Sequence, residues 1–193
     1  MTRCANFLFL DQSGIKFITG DIFDKLTSLN TTDFIFFISS SYFKRFKSEF
    51  KKHLDISYEE IIESEYYDIH RKIFDYYKSL IPKNKKYYLA PFSIKKTANI
   101  YGLIFGTNHP LGIYKFLNVC WKKDPLRGEA NFDIDKEKID TDKQSLFEEF
   151  NKPNKVKLFE KEVRDQILTS IINTDKDLVL YGLENGFLPK HLK

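Results

Sequence analysis

Cysteine is nearly absent: Cys4 and Cys120 are the only two in 193 residues, too few for a disulfide framework. With His53, His70, His109 and His191 they form no C-x-x-C or H-x-x-x-H pair of the kind that holds zinc. A stapled scaffold and a zinc ribbon are therefore not expected. No stretch approaches the roughly 18 consecutive apolar residues that a membrane span requires, and the first residues lack the basic, apolar and small-residue succession of a secretory signal. The expectation is a soluble, cytoplasmic chain with no membrane partner. Glycine is scarce at 8 residues, none of them arranged as G-x-G-x-x-G, and no G-x-S-x-G surrounds a serine. Neither a glycine-rich cofactor turn nor a serine-nucleophile elbow is present.

What is abundant is aromatic surface. Phe (19) and Tyr (11) lift the aromatic share to 16%, within a hydrophobic content of 42% and a charged content of 30%. A chain of this length builds a core without staples. The formal net charge of +4 is compatible with an acidic partner but does not demand nucleic acid.

Near the start, "FLFLDQSG" places a short apolar run, Phe7 to Leu10, before an acidic turn at Asp11 to Gly14. A continuous run of this length fits a buried parallel strand. In "DIFDKLTSL" Ile22, Phe23, Leu26 and Leu29 fall at helical spacing, with Asp21 suited to the helix N-terminus and Thr19 a candidate cap. Phe34 to Ile38 then supplies a second apolar run, and the three elements read as a β-α-β unit. From Tyr42 to about Leu80 aromatic and aliphatic residues recur three and four apart, until Pro82. "KKYYLAPFSIKKTANIYGLIFG" reads as a hairpin turning at Thr97-Ala98-Asn99, with Pro91 marking its first arm as an edge or a bulge. "HPLGIYKFLNVCWKK" follows as a helix with Leu111, Tyr114, Leu117 and Trp121 or Val119 on its apolar side. Residues 124–142 are polar and acidic, with Pro125 and Gly128, and suit a loop or linker. Beyond them "LFEKEVRDQILTSII" is amphipathic through Leu158, Val163, Ile167, Leu168 and Ile171, and a last short helix ends near Gly186.

Parallel strands followed by a late antiparallel hairpin suggest the second half of a class I methyltransferase-like sheet, a fold-level analogy. The expected architecture is α/β: a partial methyltransferase-like (Rossmann-like) sheet over residues 1–123 with a helical insertion at about 42–82, and a helical extension over 143–193. The segments "FLFLDQSGIKFIT", "TDFIFFISSSYFKRF", "YYLAPFSIKKTANIYGLIFGTNHPLGIYKFLNVCWK", "GEANFDID" and "ENGFLPKHLK", in that order, resemble the three-Cys-motif partner proteins, a bacterial family with a methyltransferase-like domain and a helical C-terminal part, a winged helix being one form it would take. The similarity runs over almost the whole chain and is strongest from Ile100 to Trp121.

That resemblance implies S-adenosylmethionine as the cofactor of a complete protein, methyl transfer as its reaction, and a three-cysteine protein as a partner. Family members usually begin with an aspartate- and glycine-rich turn that has no counterpart here, so the expectation is a C-terminal portion that is inactive by itself. Asp11 takes the place of the family's D-P-[FY]-G turn. Gln12 and Ser13 replace its proline and aromatic residue, and that aromatic is what stacks on a flipped base in amino-methylating enzymes.

Asp11 is the candidate catalytic group because open α/β sheets bind ligands at the carboxyl ends of their strands; the plain alternative is a turn cap. Gly14 in the same turn is the candidate cofactor contact. Ser39 and Ser40, ending the second strand, and Arg45, on the helix behind it, are candidate substrate contacts, with Ser41 as the helix cap. Asn108 and His109 could face a substrate, or serve only as loop and cap before Pro110. Lys44, Arg45, Lys47, Lys51 and Lys52, interleaved with Phe43, Phe46 and Phe50, read as a solvated face over a core stripe, and otherwise as phosphate contacts. A non-catalytic module binding a partner protein or nucleic acid is the second functional reading.

Overall fold

The computed structural model describes residues 4–11, 18–39, 69–140, 145–146 and 148–192. Its strands are β1 (Asn6–Leu10), β2 (Thr32–Ser39), β3 (Tyr88–Lys96) and β4 (Asn99–Thr107). They form one mixed sheet in the order β1-β2-β4-β3. β1 and β2 run parallel, joined through helix α1 (Gly20–Ser28), and β4 lies antiparallel to both of its neighbours. The chain is thus α/β, with the β-α-β unit and the hairpin that the apolar runs suggest.

Strand alternation sorts the side chains between two layers. Phe34, Phe36 and Ile38 of β2 and Ile104 of β4 point to one face, where α1 and α2 (Ile69–Ser79) cover them with Phe23, Leu26, Ile69, Ile73 and Tyr77. Phe34 and Phe36 are fully buried, and truncating either to alanine would cost about 3–5 kcal/mol. Gly106 faces Phe34 so closely that a Cβ there would collide with its ring. The second face carries Tyr88, Ala90 and Phe105 beneath α3 (Pro110–Lys123). α5 (Asn154–Leu168) and α6 (Asp175–Glu184) extend this second core through Phe159 and Leu183, with the ring of Phe187 stacked on Phe159 at 3.7 Å between centroids. A single turn, α4 (Glu148–Asn151), precedes α5, and a 3-10 turn (Pro189–His191) follows α6. Trp121 Nε1 donates to the Gly186 carbonyl at 2.9 Å, just past the end of α6, where Gly186 adopts φ +80°.

Three packing expectations change. β1 is parallel to β2 but is an edge strand, and Phe7 and Phe9 are each 62% exposed; only Leu8 and Leu10 reach a core. In α3 the buried stripe is Ile113, Leu117, Cys120 and Trp121, while Leu111, Tyr114 and Val119 face outward. In α5 the inward stripe is Val156, Phe159 and Val163, leaving Leu158, Ile167 and Leu168 exposed, as is Ile171 beyond the helix end. Each helix offers more apolar residues than one face can bury, and its rotation is set by the largest ring it packs, Trp121 or Phe159. Pro91, whose sequence context allowed an edge or a bulge, sits in the edge strand β3, paired with Ile104 on its inner side.

Candidate functional site

The parallel pair places Asp11 and Ser39 at one end of the sheet. Leu10 pairs with Phe36, so Asp11, the residue after β1, stands level with Phe37, and Ser39 ends β2 two residues further on. All three side chains belong to the face opposite Phe36. Beside them the rings of Phe37 and Tyr101 lie 6.2 Å apart. Asp11 is exposed. Gly14, Ser40 and Arg45, together with the rest of the basic and aromatic stretch around Arg45, lie outside the described residues.

Asn108 and His109 are at the other end. β4 runs antiparallel to β2, so its carboxyl terminus meets the start of β2. Asn108 Nδ2 donates to the Asn30 carbonyl at 2.8 Å, tying that end of β4 to the turn before β2. His109 caps α3, its Nδ1 accepting from the Leu111 N–H at 3.1 Å. Their polar groups thus do structural work, far along the sheet from Asp11.

His70, in the first turn of α2, was not singled out by the sequence. Its ring is buried, 3% exposed, against Gly102, where a Cβ would come within 2.5 Å of Cδ2. Among the described residues neither ring nitrogen has a hydrogen-bond partner. Burial pushes its pKa down to about 4, against a weaker upward pull from the backbone of Ile38. The imidazole is therefore neutral at pH 7. The helical spacing of His70, Ile73, Phe74 and Tyr77 is the signal that places it inward.

A second polar constellation lies on the opposite edge of the sheet. Residues 124–140 fold back along β3: the Ser93 N–H donates to the Glu129 carbonyl, and the Asn131 N–H to the Ser93 carbonyl. Asp124 organises this return, its carboxylate accepting from the backbone N–H groups of Leu126, Arg127, Glu129 and Ala130 at 3.1–3.2 Å. Buried Arg127 donates to Glu137 at 2.6 Å and lies 2.9 Å from Asp133 and 3.1 Å from Asp135. Arg71 of α2 donates to Glu129 at 2.6 Å and to Asp135 at 2.7 Å, and Lys155 of α5 approaches Glu129 at 3.2 Å. Burial works against the charge of Glu129, but Lys155 and Arg71 outweigh it and hold the carboxyl down at about 2.

Arg71, Glu129 and Lys155 line a cleft of about 230 Å³ beside β3, together with Leu89, Pro91, Asp75, Lys78 and Glu184. Burial raises the pKa of the Asp75 carboxyl. Three cations, Arg71, Lys78 and Lys155, face three carboxyl groups, Asp75, Glu129 and Glu184, so the cleft holds no concentrated charge of one sign. A second hollow, of about 300 Å³, lies between α5 and the chain end, lined by Phe159, Val163, Ile167, Leu168, His191 and Leu192. No group of His, Cys, Asp and Glu among the described residues is arranged to hold a metal ion, and no described helix is long and apolar enough to cross a membrane. No family model matches the sequence, and neither a curated protein nor a solved structure matches it.

Proposed function

We propose that the chain is part of a methyltransferase-like protein of the three-Cys-motif partner kind, with the carboxyl ends of β1 and β2 as one wall of its acceptor site. The observation that carries this reading is the sheet order. A parallel pair joined through a helix, with the hairpin's second strand inserted antiparallel between that pair and the hairpin's first strand, is the pattern the class I methyltransferase-like analogy requires. In this reading the Asp11 carboxylate accepts a hydrogen bond from the acceptor group and Ser39 lines the same wall.

S-adenosylmethionine would supply the methyl group in such a protein, but the described residues do not fit it. The glycine opening α1, Gly20, has open space where a close-approach glycine would be crowded: the nearest atom to a Cβ there is Leu80 Cδ1 at 4.0 Å. No glycine-rich strand-turn exists in the sequence to take its place. The reading therefore assigns this chain acceptor-side contacts and no catalysis by itself.

Calorimetric titration with S-adenosylmethionine tests it, with the chain alone and mixed with the isolated strand-turn segment of a three-Cys-motif partner protein. Binding only in the mixture supports the reading. Micromolar binding by the chain alone, or none in either case, contradicts it.

A second reading, a non-catalytic module for a partner protein, is favoured by the exposed Leu158, Ile167 and Leu168 of α5, the last two lining the hollow, and by exposed Ile171 just beyond the helix. Apolar side chains suit a protein better than a phosphate backbone. Co-purification with a three-cysteine protein, abolished by Leu168→Lys, would favour it; a salt-dependent gel shift would favour nucleic acid instead.

A further inference from the structure

β3 turns every second residue toward its outer edge. The N–H and carbonyl of Ser93 bond the returning Glu129 and Asn131, and those of Lys95 bond the Asn131 side chain. The pairing with β4 is continuous from Tyr88 to Lys96, so by the alternation of an antiparallel ladder the backbone groups of Pro91 and Leu89 point outward as well. The return stops short of them. Among the described residues no hydrogen bond reaches the Leu89 N–H or carbonyl on that side, although Leu89 is only 6% exposed. A nearly buried donor and acceptor on one residue, both unbonded, call for a partner.

Both groups open into the cleft beside β3, which Leu89 and Pro91 line. α2 runs along the strand in the opposite direction: His70 packs on Gly102, level with Ser93, and Tyr77 meets Phe36, level with Pro91. Arg71 reaches Glu129 beside Ser93. At about 1.5 Å per helical residue and about 3.3 Å per strand residue, Asp75 then comes near the level of Pro91, and Lys78 lies further toward Leu89. A carboxylate therefore flanks the carbonyl side of Leu89 and a cation its N–H side. Neither Asp75 nor Lys78 makes a hydrogen bond or ion pair among the described residues.

We infer that this cleft binds a free α-amino acid with an apolar side chain, which pairs with Leu89 as a one-residue antiparallel strand. Its ammonium donates to the Leu89 carbonyl and faces Asp75; its carboxylate accepts from the Leu89 N–H and faces Lys78. Residues directly opposite in an antiparallel pair share a face, so the ligand's side chain lies beside that of Leu89, on the α2 side, where Phe74 lines the cleft. The volume of about 230 Å³, roughly seven or eight waters at about 30 Å³ each, holds a molecule of leucine's size. The charges select both ends. Asp75, Glu129 and Glu184 repel a ligand that carries only a carboxylate, and Arg71, Lys78 and Lys155 repel one that carries only an ammonium. The site lies at the other edge of the sheet from β1 and Asp11, and stands or falls apart from the acceptor wall.

Calorimetric titration of the full chain with L-leucine reads the affinity, with a dissociation constant on the order of 0.1–1 mM expected for so small a ligand. Isocaproate, which is leucine without its ammonium, and isoamylamine, which is leucine without its carboxylate, should each bind at least about tenfold more weakly. Asp75→Asn and Lys78→Met, both at exposed positions, should each weaken leucine binding about three- to tenfold, with the circular dichroism and melting temperature unchanged. In amide NMR the Leu89 resonance should shift in step with saturation. Absence of leucine binding up to about 10 mM overturns the proposal. So does equal binding of either single-charge analogue, or saturable binding that leaves the Leu89 amide unmoved or the affinity unchanged in either variant.

Discussion

At the β3 edge, Pro91 has no N–H to offer, Lys95 and Lys96 carry charge, and residues 129–131 return to bond Ser93 and Lys95. At the β1 edge the described residues show Asn-Phe-Leu-Phe-Leu alone, with two exposed phenylalanines. Edge strands are templates for further pairing unless charge, proline or cover prevents it. The same sheet therefore closes one side with a proline, charged side chains and a hydrogen-bonded return and, among the described residues, leaves the other without a partner. The closed side is also where the buried charges are, since a backbone return held by Asp124 and Arg127 needs its carboxylates neutralised.

The sharpest way to break the contrast is to open the closed side. Arg127→Met leaves Asp133, Asp135 and Glu137 without the guanidinium between them, and removing one partner of a buried network costs about 3–5 kcal/mol. Urea unfolding should show that loss. An effect below about 1 kcal/mol would mean that the return along β3 is held by its bonds to Ser93 and Asp124 and by packing of Ala130 and Ile134, not by Arg127.

Acid separates the sheet's interior from its closed edge. His70 titrates near 4 when folded and at its ordinary 6.5 when unfolded, so below pH 6.5 the unfolded chain binds a proton that the folded one refuses. Stability present above pH 6.5 is lost progressively toward pH 4, by about 3 kcal/mol at most. His191, also held near 4 through burial and the charges of Lys190 and Lys155, adds in the same direction, so the comparison must be with a His70→Leu variant. That variant should remove about half of the slope between pH 6.5 and 4.5, the rest belonging to His191. Glu129 acts later: its depressed carboxyl contributes stability above pH 4.5 that disappears as pH falls toward 2. A variant with the wild-type slope would place the acid sensitivity elsewhere.

Smaller effects finish the comparison. Asn131→Ala removes the side-chain bonds to the Lys95 N–H and carbonyl and should cost about 0.5–1 kcal/mol, with faster exchange of the Lys95 amide. Phe9→Lys, on the open edge, should change monomer stability by less than about 0.5 kcal/mol.

The local part of this fold is legible in the sequence. Apolar runs give β1, β2 and β4, Thr97-Ala98 gives the hairpin turn, and Gly186 gives the end of α6, because each follows from neighbours a few residues apart. What is not legible depends on distance along the chain. Arg71 meets Glu129 and Asp135 across 58 and 64 residues, and a stretch read as loop or linker carries buried Asp124, Arg127 and Glu129. The opposite placement of Asp11 and Asn108 has the same origin: an apolar run does not show whether its strand runs parallel or antiparallel. His70 is the exception, since the helical spacing it shares with Ile73 and Tyr77 is visible in the sequence.

Amide hydrogen exchange at the two edges, in dilute monomeric protein, tests the central contrast most directly. The account predicts that the Phe7 and Phe9 amides exchange at nearly the unprotected rate while those of Ser93 and Lys95 are strongly slowed. Equal protection of Phe7 and Phe9 under those conditions would contradict it, because β1 would then have a partner within its own chain.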